Sequence, residues 1–589
     1  MLPYLQEVQN TSKKYSVVFR GLNYGEGTQD GEFAETYNLS TDQYPCITQR
    51  AARISAKEYQ NPTTLHSKGK LLVIDGTDVM YGDTKVGEVT SGKKQTATIG
   101  NYIVIFPDKK YYKVPTEDDK DGEFGSMEEE YKGAWVEFTT STISIGKEYK
   151  ISKANFNGTQ IYSVGARFPF KVGDVVTIRG CPDAENNKTD IVVSYASSKS
   201  LGFSGVSFYR TDYSDIEITI SRKVQDEFPF REGDAVKITG CSENGNNKTA
   251  EIIIRGATAD ELTFDDNAFA EATEVGEVTI SRTVPDLDFI CESNYRLWGT
   301  HGNTIYSSKF SDPFNFQVFD NLASDSYAIE VGSEGEFTGC IPYSSHICFF
   351  KENTLHKLYG TKPSNFQITT ANIYGVQSGS ERSMQIVNEQ LLYKGVGGVY
   401  SYTGGVPELI SEKFGNKRYS DAVACCDGEK YYISMKQGDT WNMFAYDVMK
   451  NIWLREDDTQ AVDMTFFDGK IYFLDAKGGL YYIDKTADRN GIEWGATFCT
   501  LHETMNERKG YSKFHLRMDL SAGAWIAVDI KTDNDLQWRQ VYTTHNEQAK
   551  TVSIPIMPTR CDSIDIRLRG KGKCTIKTFI REFTVGSDV

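Results

Sequence analysis

The sequence predicts an all-β protein: a β-propeller of about seven blades (six to eight), two inserted tandem small β-barrel or sandwich repeats, and a C-terminal β-sandwich. Three observations carry this. Apolar strand, Asp-Gly or Gly-Gly turn and aromatic strand recur every 35 to 50 residues over much of the chain, the periodicity of propeller blades. A second repeat, unrelated to the first, recurs at an offset of 60 residues. The last stretch changes to longer alternating strands, as a sandwich requires.

The clearest hairpin is NYRLWGTHGNTIYSSKFSDPFNFQVF, residues 294–319. Polar and apolar residues alternate on both sides of a Gly/Asn turn, which is the signature of a half-buried β-hairpin. The elements around it follow in order. Residues 1–64 are punctuated by Gly, Asn and Asp with isolated apolar residues, and read as an extended strap. Residues 65–114 hold the first propeller hairpins, KLLVIDGTDVMYG and TATIGNYIVIFPDKKYYKV, with turns at Asp75–Gly76 and Asp108–Lys109. Residues 115–132, PTEDDKDGEFGSMEEEYK, are rich in Asp and Glu without the glycine and terminal glutamate of a calcium loop; they read as an acidic linker.

The 60-residue repeat occupies 133–222 and 223–283, two expected β-barrel modules with 131–161 completing the first. FPFKVGDVVTIRGC (168–181) matches FPFREGDAVKITGC (228–241), the Asn-Asn-Lys-Thr blocks at 186 and 246 match, and ITISR (218–222) matches VTISR (278–282). Gly173-Asp174 and Gly233-Asp234 are expected to make turns rather than ligand contacts. The Asn-Lys-Thr triplets have the form of glycosylation acceptors, but without an export signal they are expected to be loop chemistry. Residues 284–490 resume the hairpins as the remaining blades, so the two modules form an insertion between blades. Residues 491–589 form the C-terminal β-sandwich, with local positive charge in KGYSKFHLR and RLRGKGK. That charge suits either a face for an acidic neighbour or a solvated edge.

The chain has 589 residues, 34 Tyr, 32 Phe and 51 Gly, and a net charge of −17. Such a length calls for several domains. The charge argues against an outer surface that grips nucleic acid, yet suits a wall past which DNA slides without sticking. No apolar run reaches a spanning length and the start lacks a signal-peptide layout, so no membrane span and cytoplasmic synthesis are expected. The 11 scattered cysteines, with Cys425–Cys426 adjacent, are expected to be reduced core residues.

No catalytic, cofactor-binding or metal site is expected. The seven histidines (66, 301, 346, 356, 502, 515, 545) have no metal-ligand spacing. His346 and His356 share one hairpin with an expected structural role. Gly395-Val396-Gly397-Gly398 is a turn in β context rather than a phosphate cradle, and no nucleophile elbow or Walker loop is present. Lys531–Trp538 reads as a hairpin tip.

YNLSTDQYPCITQR (37–50), NYRLWGTHGNTIYSSKFSDPFNF (294–316) and the ending PTRCDSIDIRLRGKG…IREFTVGSD (558–588) resemble proteins of tailed bacteriophages, namely packaged-DNA stabilisation, tail-hub or tail-nozzle proteins. The barrel repeats resemble the small modules that such proteins insert into their propellers. The resemblance names no catalytic residues. It implies a virion protein in a ring of copies of itself, commonly a hexamer, below the portal and adaptor. Tail fibre or needle proteins would attach below, and double-stranded DNA would pass through the lumen without sequence-specific contact. The alternative is a receptor- or glycan-binding tail protein, possibly a propeller glycosidase, using Trp298, Trp441, Trp453 and Trp538.

Overall fold

A computed structural model describes residues 11–586 except 166, 224–226, 504–506, 534 and 558–559; the first ten residues of the strap and the end of the C-terminal segment lie outside these. Among the described residues there is no α-helix and only short 3-10 turns. Seven four-stranded antiparallel sheets follow one another as blades. Blade 1 spans 62–88, blade 2 95–126, blade 3 289–330, blade 4 337–372, blade 5 385–409 and blade 6 420–457. Blade 7 combines three strands from 461–484 with Ala52–Glu58 as its outer strand.

Each blade buries both faces, and the sequence shows why. In Tyr102–Phe106, Ile103 and Ile105 pack against blade 1 while Val104 and Phe106 pack against blade 3. The same split divides Tyr431 and Ile433 from Tyr432 in blade 6. A separate apolar cluster fills each of the seven junctions, the last joining Leu65 and Val73 of blade 1 to Leu474 and Leu480 of blade 7. Continuous apolar runs therefore replace simple alternation in these strands.

Ring closure corrects the expectation of an extended strap over 1–64. Residues 52–58 seal blade 7, and Arg53 inserts between Glu456 and Asp457 at 2.7 Å from each. Further upstream, Thr11–Ser16 and Ile47–Gln49 pair with Cys574–Val585, and Glu32–Tyr37 pairs with Glu493–Phe498. The C-terminal sandwich is thus two sheets woven from both ends of the chain. Arg581, fully buried, ties them through Asp30, Ser16 and Glu503. The sandwich core takes in Ile452 and Leu454 of blade 6, so it sits on the propeller's flank. Thr36 and Asn38 add backbone-directed bonds to Arg455 and Glu456 there.

The acidic linker is also corrected. Only 115–122 is loop; Glu123–Ser126 is the outer strand of blade 2, and Glu129–Phe138 begins a barrel module. Met127 is fully buried and holds the transition in place.

The two repeats are nested rather than tandem. Glu129–Phe138 and Thr142–Ile145 pair with the strands of 235–282, so 129–145 complete the second repeat and not the first. Residues 148–222 form a closed six-stranded barrel inserted inside that module. We call the outer one the distal module and the one attached to the propeller the proximal module. The repeated asparagines explain themselves structurally. Asn186 and Asn246 are buried and hold the backbone of Tyr209 and Ala270. Asn187 and Asn247 clamp both backbone groups of Cys181 and Cys241. Gly173 and Gly233 have φ of +99° and +91°, the left-handed turn geometry that glycine supplies.

Candidate functional site

The propeller axis is the first place to look, because the inner strands of all blades converge there. It is filled. The turn Glu381–Ser383 leading into blade 5 sends Arg382 across the centre. The guanidinium donates to the carbonyls of Thr63, Val462 and Lys94 and to Thr64 Oγ1, and lies 3.0 Å from Asp463. Blades 7, 1 and 2 are thereby bridged to blade 5. Glu381 pairs with Lys93 and accepts from Gln95.

The electrostatics follow from burial. Burial pushes the Glu381 carboxyl up, but Lys93 outweighs it and the group ends below the ordinary range. Asp463 is driven above the usual carboxylate range by burial, against the pull of Arg382 and of the backbone N–H groups of Leu65 and Met464. Both carboxylates are spent on structural partners.

The remaining concavities lie between blade edges. One of about 110 Å³ is bordered by Lys394, Lys417 and Arg418. Burial pushes the Lys394 amine down to about 8, and it donates to Gln377 Oε1 at 2.7 Å, a packed cation. A groove of about 300 Å³ runs between blades 3 and 4 beside Trp298 and His346. A wider one of about 550 Å³ lies along Phe319, Leu322 and Pro363. Among the described residues no group of three or more His, Cys, Asp or Glu could hold a metal ion.

Of the tryptophans weighed as sugar platforms, Trp298 and Trp453 are core, 2% and 1% exposed. Their indoles donate to the carbonyls of Ser293 and Ile410. Trp441 is half-buried. Trp538 is half-buried between Lys531 and Arg567, whose charges lie 5.1 and 4.5 Å from its ring. The basic C-terminal strand is largely committed internally, since Arg567 and Arg569 both grip buried Asp529. His346 pairs with Tyr359 and His356 with Phe349 in the hairpin register, so the two imidazoles serve separate surroundings. The Gly395–Gly398 turn caps a blade hairpin. All eleven cysteines are free thiols, nine of them buried.

The Arg382 spoke had no local sequence signal, because its partners lie about 80 and 300 residues away along the chain.

No family model and no characterised protein sequence matches the chain. Among solved structures, BamB from Moraxella catarrhalis aligns at 10% identity over 75% of this chain and 98% of its own, with a TM-score of 0.29. An exo-β-1,3-galactanase from Phanerochaete chrysosporium aligns at 8% identity over 49% and 92%, with a TM-score of 0.20. The N-terminal domain of Nup159 aligns at 11% over 44% and 98%, with a TM-score of 0.19. Such values carry no argument about activity.

Proposed function

We propose that the protein is a structural tail component of a bacteriophage. It would form an oligomeric ring, a hub or nozzle below the portal and adaptor, that retains packaged DNA and conducts it during ejection. The single observation that carries this reading over a propeller glycosidase is the Arg382–Asp463 spoke. It crosses the axis where the inner strands begin and engages its charged groups with each other rather than with an open cleft. Function then falls to the outer surfaces: the blade edges, the projecting modules and the flank-mounted sandwich. A propeller bridged across its axis works as a wall block, and the DNA path runs between copies. A net charge of −17 suits a lumen that repels the duplex and lets it slide.

The segments that carry the tail-protein resemblance also cooperate: Ile47 and Thr48 of the strap pair with Ile576 and Thr575 near the end of the chain. The sandwich that they build supports a docking role toward adaptor, fibre or needle proteins. The test is mass spectrometry and immunogold imaging of purified particles of the phage encoding the chain. Several copies per particle at the tail vertex are expected. Absence from particles, or hydrolysis of host wall sugars that disappears with Trp538→Ala, would overturn the proposal.

A further inference from the structure

The nested repeats present the same face twice, once covered and once bare. In the proximal module, the face that holds the paired residues Ala235 and Ile253 is covered beside Ala235 by the connection between the third and fourth strands of blade 3. Asn315 accepts from the Ala235 backbone N–H and donates to Asp234. Asp320 pairs with Arg255 at 2.7 Å, and Phe314 lies under Arg231 and Arg282. Ala235 is only 4% exposed as a result.

The corresponding residues of the distal module are Val175 and Val192, the counterparts of Ala235 and Ile253, with Tyr195 in place of Gly256 and Val172 in place of Glu232. Val175 and Val192 are directly paired across neighbouring strands. Tyr195 lies on the same sheet, paired with Gly202. Among the described residues, Val172, Val192 and Tyr195 are 64%, 51% and 52% exposed. Three large apolar side chains on one small barrel are more than scattered surface hydrophobicity.

Charge indicates the occupant. From 147 to 223 the distal module has eleven Lys/Arg against eight Asp/Glu, a net positive body on a strongly acidic chain. The proximal module, 129–145 with 227–282, has six against fifteen. Beside it, next to Asp320, Phe319 and Leu322 are each 58% exposed and border the groove of about 550 Å³. The chain thus offers an apolar face on a basic module at one end of its arm and an apolar groove beside an acidic module at the arm's root.

We propose that the Val172/Val192/Tyr195 face of the distal module docks on a second copy of this chain, in the Phe319/Leu322 groove beside the acidic proximal module. The contact is heterologous, because two different surfaces meet, so successive copies propagate in one direction and close into a ring if the rotation permits. The inference rests on the ring reading above and assigns its interface. Such a contact needs on the order of 1,000 Å² of buried area, and the opposite charges of the two modules would steer and orient it.

The test uses three full-length proteins: the wild type, a face variant (Val192→Glu with Tyr195→Glu) and a groove variant (Phe319→Glu with Leu322→Glu). All four positions are exposed, so folding is not at stake. Light scattering is expected to show wild-type oligomers and two monomeric variants. Mixing the variants is expected to give a one-to-one dimer, because each retains the surface that the other lacks. If the wild type and both variants assemble alike, the assigned interface is wrong and the ring uses other surfaces. If the wild type stays monomeric both alone and with the adaptor protein added, the ring reading falls as well. If the face variant assembles normally but loses binding to a short DNA duplex in fluorescence anisotropy, the face belongs to nucleic acid and the proposal is overturned.

Discussion

Arg382 and Asp463 meet at 3.0 Å across the propeller axis, a cation from the approach to blade 5 and a carboxylate from the inner strand of blade 7. Removing one member of a buried pair leaves the other uncompensated, which costs about 3–5 kcal/mol. Arg382→Ala would also strip the carbonyls of Thr63, Lys94 and Val462 of their donor. The expected outcome is a loss of that size in denaturant unfolding, with a smaller loss for Asp463→Asn. An unchanged midpoint for Arg382→Ala would show that the spoke is not part of the ring's cohesion.

Ring closure depends on a strand far from its blade in sequence. Arg53 on that strand pairs with Glu456 and Asp457 of blade 6 and lies 5.3 Å from the Phe473 ring of blade 7. Arg53→Ala should destabilise the protein by about 3 kcal/mol or more. Hydrogen exchange should show protection lost first in 461–484 and 52–58. Uniform loss over all blades would contradict a local closure.

His356 gives the protein a pH dependence. It is 2% exposed, and its ring nitrogens are bonded by Ser333 and Thr370. Burial, aided by Lys351, lowers it to about 4 from 6.5. Between those values the unfolded chain binds the extra proton and the folded one does not. Stability therefore falls as pH drops from 6.5 toward 4, by up to about 1.4 kcal/mol per pH unit. Unfolding midpoints of wild type and His356→Gln should diverge at pH 7 and converge toward pH 4.

The tryptophans divide by burial. Trp298→Ala and Trp453→Ala should each cost about 3–5 kcal/mol. Trp538→Ala, at a hairpin tip between two cations, should cost about 1 kcal/mol or less. Equal effects in thermal melts would contradict the assignment of the first two to the core.

The distal module leaves and re-enters the fold at one place, since Glu148 pairs with Ser221. Replacing 147–223 with a short Gly-Ser linker should keep the propeller folded. The damage should be confined to the proximal module, where Trp135 loses its contact with Phe170. A propeller that aggregates after this excision would show that the arm is part of the folding core.

Sequence patterning reached the blades because their signals are local: a Gly76 turn between two apolar strands, or Ile103–Phe106 buried on both sides. It reached the repeats through their near-identical 168–181 and 228–241 blocks. Those same blocks concealed the nesting. The strand completing the proximal module shares little with its distal counterpart beyond Tyr131 and Phe138 answering Tyr149 and Phe156. The closing strand, ARISAKE, has only two apolar positions of weight, and its partner lies more than 400 residues away. Long-range pairing of polar strands leaves no periodic trace, and neither does a single arginine reaching across the axis.

The most direct measurement is the mass of the purified wild-type protein, by light scattering with negative-stain imaging, over a range of concentrations and with the adaptor protein added. Closed rings with an open centre between copies, formed alone or on the adaptor, are expected. A persistent monomer that ignores the adaptor and binds host-cell glycans would contradict the ring reading.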